Sequence, residues 1–218
     1  HGQAGLRRRR RMRILGIDPG IRNTGWGVVE QSNNRLCHIA NGVIRTKSDL
    51  ADAARLHFIA VGVADAIAAH RPDAAAIEEI FVAKSATSAL KLGMARGVAM
   101  MQCGEASLRL VEISARRVKK SIAGTGAADK IQMQDMVERL LGIRAANADA
   151  ADALAIAIAA GQDIAPFGLN VEGENRTGNQ TMSELNSAQF GGVKAGRGSG
   201  LSAAIEKALA RDAGEDGR

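Results

Sequence analysis

Two apolar runs joined by a Pro-Gly turn set the first constraint on the fold of this chain. The run "RILGID" (13–18) is typical of a buried strand, and "TGWGVVEQ" (24–31) of a second one. Asn33 and Asn34 favour a turn into a third strand, "RLCHIANGVIRT" (35–46). These three runs therefore predict a β-meander at the start of the domain.

Helices and single strands alternate after the meander. Ser48 and Asp49 offer N-cap chemistry for a long helix over 50–70, which ends at Arg71-Pro72-Asp73. The remaining pattern predicts a strand (74–81), a helix (85–105), a strand (108–113), a helix capped by Ser114, and helices over 130–142 and 146–161. This order predicts an α/β fold in which helices cover a mixed sheet.

The core of that fold must be almost free of aromatic side chains. Of the 218 residues 46% are hydrophobic, yet only 2% are aromatic and there is no Tyr, so Ala, Ile, Leu, Val and Met must fill the interior. The length suits one domain with extensions. We place the domain at 12–162, and the Gly-, Asn- and Ser-rich segment 163–218 favours a flexible tail.

The net charge of +6 is concentrated at the N-terminus. Arg7 to Arg11 supply five of these charges, so residues 1–11 are interpreted as a basic extension, either added to the natural chain or an over-extended start. A solvated arm is favoured over a DNA-binding one. No apolar run approaches the roughly 18 residues of a membrane span, and no secretory signal is visible. Cys37 and Cys103 lack metal-ligand spacing. We expect a soluble cytoplasmic protein without a membrane partner.

Four acidic residues occur where acids are costly. Asp18 ends the first strand, Glu78 lies inside the strand "AAAIEEIF", and Asp149 and Asp152 interrupt a helix of Ala, Ile and Leu. The helical pair is three residues apart, so both carboxylates lie on one face, about 5–6 Å apart between Cβ atoms. At ~4 Å two such charges repel by about 4 kcal/mol at an effective dielectric of 20. No Lys or Arg from 145 to 161 neutralises them. Either one carboxylate is protonated or a cation lies between them, and a divalent metal fits better.

The donor type narrows the metal. Carboxylates without His or Cys favour Mg²⁺ or Mn²⁺ over Zn²⁺, and two such ions can activate a water and stabilise the leaving oxygen of a phosphodiester. Each acid also has an ordinary interpretation. Asp18 can be a turn residue, and Asp149 can complement the helix dipole after an Asn147 N-cap. Turns and caps do not explain the four together, so the residues favour a metal site.

Four motifs resemble those of the RuvC family, the bacterial Holliday-junction resolvases. They are "GIDPGIRNTGWGVV", "AIEEIFVAKSATSALKLGMARGVA", "VKKSIAGTGAADKIQMQDMV" and "ADAADALAIAIA", in the family's order. The resemblance implies a three-layer ribonuclease-H-like fold with a mixed five-stranded sheet. It also implies that Asp18, Glu78, Asp149 and Asp152 are the catalytic metal ligands, for Mg²⁺ with Mn²⁺ as a substitute. Glu78 is chosen over Glu79 because it follows "AAI" as in the family, and period-2 alternation turns Glu79 to the opposite face.

The resemblance also implies contacts to DNA. Phe81 matches an aromatic near the junction centre that can stack on a base, and Lys119 and Lys130 match basic residues of the family. The local sequence adds a basic cluster before the Gly124–Gly126 loop, which allows close backbone approach to phosphate. The predicted DNA-binding residues are Phe81, Arg116, Arg117, Lys119, Lys120 and Lys130.

The implied activity is a structure-selective endonuclease acting in recombination and repair. It would resolve four-way DNA junctions by paired symmetric nicks that leave 5′-phosphate and 3′-hydroxyl ends. A two-fold substrate calls for a homodimer, and the resemblance implies dimer contacts through "SATSALKLGMARGVAMM" (85–101) and a RuvA–RuvB branch-migration complex as partner. Two alternatives stay open. One is a fragment of an actin-like ATPase or sugar kinase, because "GIDPGIRNTG" also resembles the phosphate loop of those proteins. The other is a junction-binding protein that does not cleave.

Overall fold

A computed structural model describes residues 11–32, 35–79 and 85–164, which form one sheet with helices on both faces. The elements are β1 (Arg11–Asp18), β2 (Asn23–Ser32), β3 (Arg35–Arg45), α1 (Asp52–His70), β4 (Ala74–Glu78), α2 (Ala86–Glu105), β5 (Arg109–Ile113), α3 (Ala115–Ala123), α4 (Lys130–Leu141) and α5 (Ala148–Ile164). The predicted turn at Asn33-Asn34, Phe81, the first ten residues of the N-terminal extension and the tail from 165 onward lie outside the described residues.

The sheet has the order β3-β2-β1-β4-β5. β1 pairs antiparallel with β2, and β2 with β3, while β4 lies parallel to both β1 and β5. This arrangement confirms the predicted meander and the mixed five-stranded sheet. Parallel β1 and β4 end at the same edge, so residues that follow both strands come together there.

Alternation along the strands divides the core into two layers. Ile14, Val29 and Ala76 face α3, α4 and α5, whereas Leu15, Ile17 and Ile77 face α1 and α2. Successive side chains of a strand point to opposite faces, so the continuous apolar runs of β1 and β4 can fill both layers. Helix–sheet–helix is the three-layer architecture that the resemblance implied.

Two helix boundaries differ from the prediction. Ser48 and Asp49 do not cap α1, because the helix begins at Asp52 after Ala51, which makes no side-chain cap. Tertiary contacts fix this start instead: the buried Arg55 donates to Thr46 Oγ1 at 3.0 Å and to the Ile21 carbonyl oxygen at 3.1 Å. At the other end of the domain, α5 continues three residues past the predicted 161, since Ile164 is buried in the core.

Among the residues that the structure describes, one helix, α1, is long and apolar enough to cross a membrane by length and composition alone. It is not an uninterrupted apolar run, however, because Asp52, Arg55 and Asp65 lie within it. Ile59, Val63 and Ala66 of α1 are buried in the layer that it forms with α2 and the sheet. One such helix is weak evidence for a membrane span, and α1 contributes these residues to the core of the domain.

Glycines of β1 and β2 let α5 lie directly on the sheet. A Cβ built on Gly16 would lie 2.0 Å from the Ala153 carbonyl oxygen, and one on Gly25 would lie 2.1 Å from the Asp149 carbonyl oxygen. Any larger residue would push the helix away from the strands. The small residues therefore determine the distance between α5 and the edge of the sheet at which β1 and β4 end.

Substitution of Gly25 by alanine tests this close approach. The added methyl group must displace the α5 backbone, so we expect the free energy of unfolding to fall by about 1–3 kcal/mol in urea titrations followed by circular dichroism. Gly104→Ala in α2 is the matched control, because a Cβ there meets nothing within 4 Å. Its stability should be unchanged or raised by up to about 1 kcal/mol. Equal stabilities of the two variants would contradict the packing argument.

Candidate metal centre and nucleic-acid interface

Two of the four predicted carboxylates come from the ends of neighbouring parallel strands. Asp18 and Glu78 are the last residues of β1 and β4, and the residues before them, Ile17 and Ile77, are register partners. Both side chains point to the α5 face, because the residues two positions earlier, Gly16 and Ala76, lie on that face. Glu79 is exposed, as expected for the opposite face.

Helix α5 brings the other two carboxylates to the same edge. Gly25 is the cross-strand partner of Asp18, and the backbone of Asp149 lies against Gly25. The Asn147 side chain caps the helix by accepting from the Ala150 amide at 2.9 Å, which confirms the predicted N-cap. One turn after its first acid, α5 presents Asp152 on the same face.

Two side chains shape the loops on either side of this edge. Thr24 is fully buried and donates from Oγ1 to the Gly20 carbonyl oxygen at 2.8 Å, which closes the Pro-Gly turn after β1. Asn41 of β3 accepts from the Ala146 amide at 2.9 Å, and this holds the loop that leads into α5. The strand-borne and helix-borne acids are thus supported from the meander.

Asp18 combines partial burial with the nearness of three other acids. Burial, followed by the charges of Asp152, Glu78 and Asp149, raises its pKa from 3.8 to about 7, against the opposing effect of Lys130. Burial and the charge of Asp152 also raise the pKa of Glu78, while Lys119 and Lys130 lower it. The acids are therefore close enough to affect one another's ionisation, and the site favours an added cation.

Lys130 partly supplies that cation. Its Nζ lies 2.9 Å from Asp152 Oδ2, and this hydrogen bond is the main cause of the raised pKa of Lys130. Lys130 is the first residue of α4, whose start is determined by a capping box between Asp129 and Gln132. The residues near Asp149 and Asp152 in sequence contain no basic group, so only the tertiary structure brings this ammonium to the helical pair.

The donor set fits Mg²⁺, although the described segments contain no group of three His, Cys, Asp or Glu side chains already arranged around one point. The four acids offer only hard oxygen donors, which Mg²⁺ and Mn²⁺ prefer. An ammonium already occupies a cation position at Asp152. The electrostatics therefore suit a divalent ion, and the carboxylate side chains would have to move closer together to bind it.

Two cavities are each lined by two of the four carboxylates. One, of about 280 Å³, is lined by Glu78 and Asp152 with Lys119 and Lys130 over an apolar floor that includes Met133. The other, of about 550 Å³, is lined by Asp18 and Asp149 with the basic residues Arg22, Arg55 and Lys91. Each pair of acids thus faces its own basic wall.

The predicted DNA-binding residues differ in their distance from the acids. Lys119 and Lys130 line the first cavity. Arg116 packs instead against Gly126, since a Cβ built on that glycine would lie 3.1 Å from Arg116 Cγ. Arg116, Arg117 and Lys120 are exposed on α3. Phe81 lies outside the described residues.

Sequence reasoning missed three basic residues that line the second cavity: Arg22, Arg55 and Lys91. Arg22 could have been found, because it follows the Asp18-Pro19-Gly20 turn. Arg55 and Lys91 are distant in sequence and carry no local signal.

The raised pKa of Asp18 predicts that Asp18→Asn stabilises the metal-free protein at neutral and alkaline pH. The folded-state pKa of about 7 lies above the reference value of 3.8, so stability falls as pH rises through this window. At pH 8 in EDTA, the variant should unfold with a free energy higher by up to about 4 kcal/mol, the equivalent of roughly three pKa units.

The difference should shrink below pH 7 and be lost below about pH 4. Urea titrations at several pH values measure it, and replacing EDTA by Mg²⁺ should stabilise the wild type more than the variant. A variant that is no more stable than wild type at pH 8 would contradict the raised pKa of Asp18.

Comparison with known proteins shows which family this fold belongs to. Residues 14–160 match the family model described as crossover junction endodeoxyribonuclease RuvC. The protein of that name from Acidiphilium cryptum is 50% identical over 149 residues, which cover 68% of this chain and 89% of the relative. The one from Zymomonas mobilis is 51% identical over 148 residues, 67% of this chain and 89% of the relative.

A solved structure, T. thermophilus RuvC in complex with a Holliday junction substrate, superposes with a TM-score of 0.64 at 32% identity. The match covers 68% of this chain and 92% of that one. A yeast mitochondrial Holliday junction resolvase shares the fold at 14% identity, with a TM-score of 0.51 over 67% of this chain and 76% of that one. The chain therefore belongs to the RuvC family of crossover junction endodeoxyribonucleases.

Proposed function

We propose that this protein is a metal-dependent endonuclease that resolves four-way DNA junctions by paired nicks. The observation that carries the proposal is the environment of Asp18, a partly buried carboxyl whose pKa is raised to about 7 beside three further acids. Holding four partly buried acids this close together is costly without a cation. The T. thermophilus relative was solved in complex with a Holliday junction substrate, and this supports the same substrate for this chain.

In this proposal the four acids Asp18, Glu78, Asp149 and Asp152 hold Mg²⁺, with Mn²⁺ as a substitute. Bound there, the metal would lower the pKa of a water and stabilise charge on the phosphodiester oxygens. The chain itself contributes geometry: two rigid strand ends and one helix present oxygen donors to a single edge. The expected products carry 5′-phosphate and 3′-hydroxyl ends that a ligase can seal.

Lys130 has two roles in this scheme. In the metal-free protein its ammonium neutralises Asp152 at 2.9 Å. This contact would weaken with a divalent ion bound at Asp152, because both cations would need the same carboxylate. Lys130 would remain in the cavity that Lys119 also lines, where both ammonium groups could bind a phosphate of the DNA strand. Arg116, Arg117, Lys120 and Phe81 are proposed as further DNA contacts.

Helix α2 is proposed as the homodimer contact. Leu90 and Met101 of α2 are 65% and 50% exposed, and between them Gly93 and Gly97 have no neighbour within 4 Å of an added Cβ. An apolar helix face with open glycines allows a second helix to approach closely. A dimer supplies two active sites, as opposed nicks require. A RuvA–RuvB complex as partner and a cytoplasmic location complete the proposal.

The two alternative functions receive less support. A junction-binding protein that does not cleave needs basic groups and gains nothing from a crowded carboxyl such as Asp18. Membership of an endonuclease family gives no support to an ATPase or sugar kinase.

Asp152→Asn is the sharpest test of nuclease activity. Loss of one ligand should lower the single-turnover nicking rate of a labelled four-way junction in Mg²⁺ by more than about 100-fold, since changes to residues that only orient a metal ligand already cost 10–100-fold. Junction affinity in EDTA should be retained, because the change removes a negative charge. Asp135→Asn, in α4, is the matched control and should nick normally. A wild type that binds junctions but never nicks them in Mg²⁺ or Mn²⁺ would refute the function.

Lys119→Ala tests the phosphate contact. We expect weaker binding to junctions of any sequence, and a plot of log K against log salt whose slope falls in magnitude by about 1. Fluorescence anisotropy at several salt concentrations measures both quantities. Arg71→Ala is the control, because Arg71 precedes β4 at the edge of the sheet opposite the acids. An unchanged slope for Lys119→Ala would exclude this contact.

Leu90→Asp tests the dimer. A buried aspartate at a helix contact is costly, so the variant should sediment as a monomer in analytical ultracentrifugation at concentrations where the wild type is a dimer. Ile131→Asp in α4, where the side chain is 74% exposed, should sediment like the wild type. If Leu90→Asp leaves the oligomeric state unchanged, α2 does not form the contact.

A further inference from the structure

The end of β4 is held on its two sides by different means. On the β5 side, Glu78 pairs in register with Ile113, and the Glu79 amide donates to the Ile113 carbonyl oxygen at 3.0 Å. On the other side, register with β1 ends one residue earlier, at the pair formed by Ile17 and Ile77. The last residue of the strand therefore lacks a register partner in β1.

A side chain from α2 reaches this point. Arg96 Nε donates to the carbonyl oxygen of Glu78 at 3.2 Å. Glu78 is one of the four candidate metal ligands, so the guanidinium is bound directly to the backbone of a residue of the site. A hydrogen bond from a charged donor is stronger than a neutral one, and it restrains the peptide from which the carboxylate extends.

The guanidinium is itself fixed by two further contacts. Arg96 Nη2 donates to Glu112 Oε2 of β5, and Nη1 lies 3.1 Å from Met100 Sδ, one turn along α2. The Arg96 side chain is only 16% exposed. All three guanidinium nitrogens are thus engaged, so a planar group with a rigid fork of donors links α2, β4 and β5.

We propose that Arg96 is a positioning residue for Glu78. It holds the last peptide of β4 so that the Glu78 carboxylate is oriented toward Asp18 and Asp152, the acids with which it would hold a metal. The inference rests on the nuclease function proposed above and adds to it a residue that touches neither metal nor DNA. Positional errors near 1 Å in a reacting group are enough to cost about 100-fold in rate.

The location of the contact distinguishes positioning from general support. An arginine that only stabilised the fold would affect folding, and with it DNA binding and cleavage together. Arg96 reaches the peptide of Glu78, whereas the cavity residue expected to bind phosphate, Lys119, extends from α3. Loss of Arg96 should therefore reduce the chemical step and metal use while leaving junction affinity intact.

The test uses Arg96→Gln and Arg96→Lys with the full chain. Single-turnover nicking of a four-way junction by Arg96→Gln in Mg²⁺ should be slower by about 10- to 100-fold, and its half-maximal Mg²⁺ concentration should rise. The junction dissociation constant in EDTA should not change. Arg96→Lys keeps the charge for Glu112 but not the fork, so its rate should lie between those of Arg96→Gln and wild type. Arg139→Gln, which removes an exposed arginine of α4, is the matched control and should behave as wild type.

Circular dichroism and thermal unfolding establish the folded fraction of each variant at the assay temperature, and rates are compared per folded protein. A wild-type rate and Mg²⁺ dependence for Arg96→Gln would overturn the inference. So would a loss of rate matched by an equal loss of junction binding, since that is the signature of a purely structural role. A wild type that never nicks would instead refute the proposed function, which separates the two failures.

Discussion

The packing of α5 on the glycines of β1 and β2 is the contact on which the candidate site depends. Gly16 and Gly25 leave no room for a Cβ between strand and helix. Because Asp18 is the cross-strand partner of Gly25, the same close approach brings the start of α5 beside the end of β1. Replacing these glycines would increase the distance between the strand-borne and the helix-borne acids, whatever happened to the acids themselves.

This approach places like charges together, and the rest of the site can be understood as a response to that cost. Burial and three neighbouring acids raise the pKa of Asp18 to about 7, and Lys130 bonds to Asp152 from another helix. A site that is electrostatically unfavourable without metal gains the most from binding one.

Support for the site comes from elements that carry none of its acids. Asn41 of β3 holds the loop before α5, and Thr24 closes the turn after β1. Arg96 extends this pattern to the end of β4, from a helix whose exposed apolar face is the proposed dimer contact. Placement of the acids thus depends on the whole three-layer arrangement rather than on any one motif.

Much of the architecture could be predicted from local pattern. The apolar runs, the Arg71-Pro72 stop and the Asn147 cap act within a few residues, so the order of strands and helices and the mixed sheet follow from the sequence. The start of α1 did not follow, because Arg55 contacts residues distant in sequence and overrides the Ser48-Asp49 cap. Local rules have no information about such contacts.

The residue types of the site were likewise evident in the sequence, and their electrostatic state was not. An acid within an apolar segment indicates a possible functional site, because burying a carboxylate is costly anywhere in the chain. Only the tertiary structure decided that Lys130 neutralises Asp152, that the second cavity has its own basic wall, and that Arg96 holds the Glu78 peptide. Each of these joins elements that are far apart along the chain, and the distance between them is set by packing.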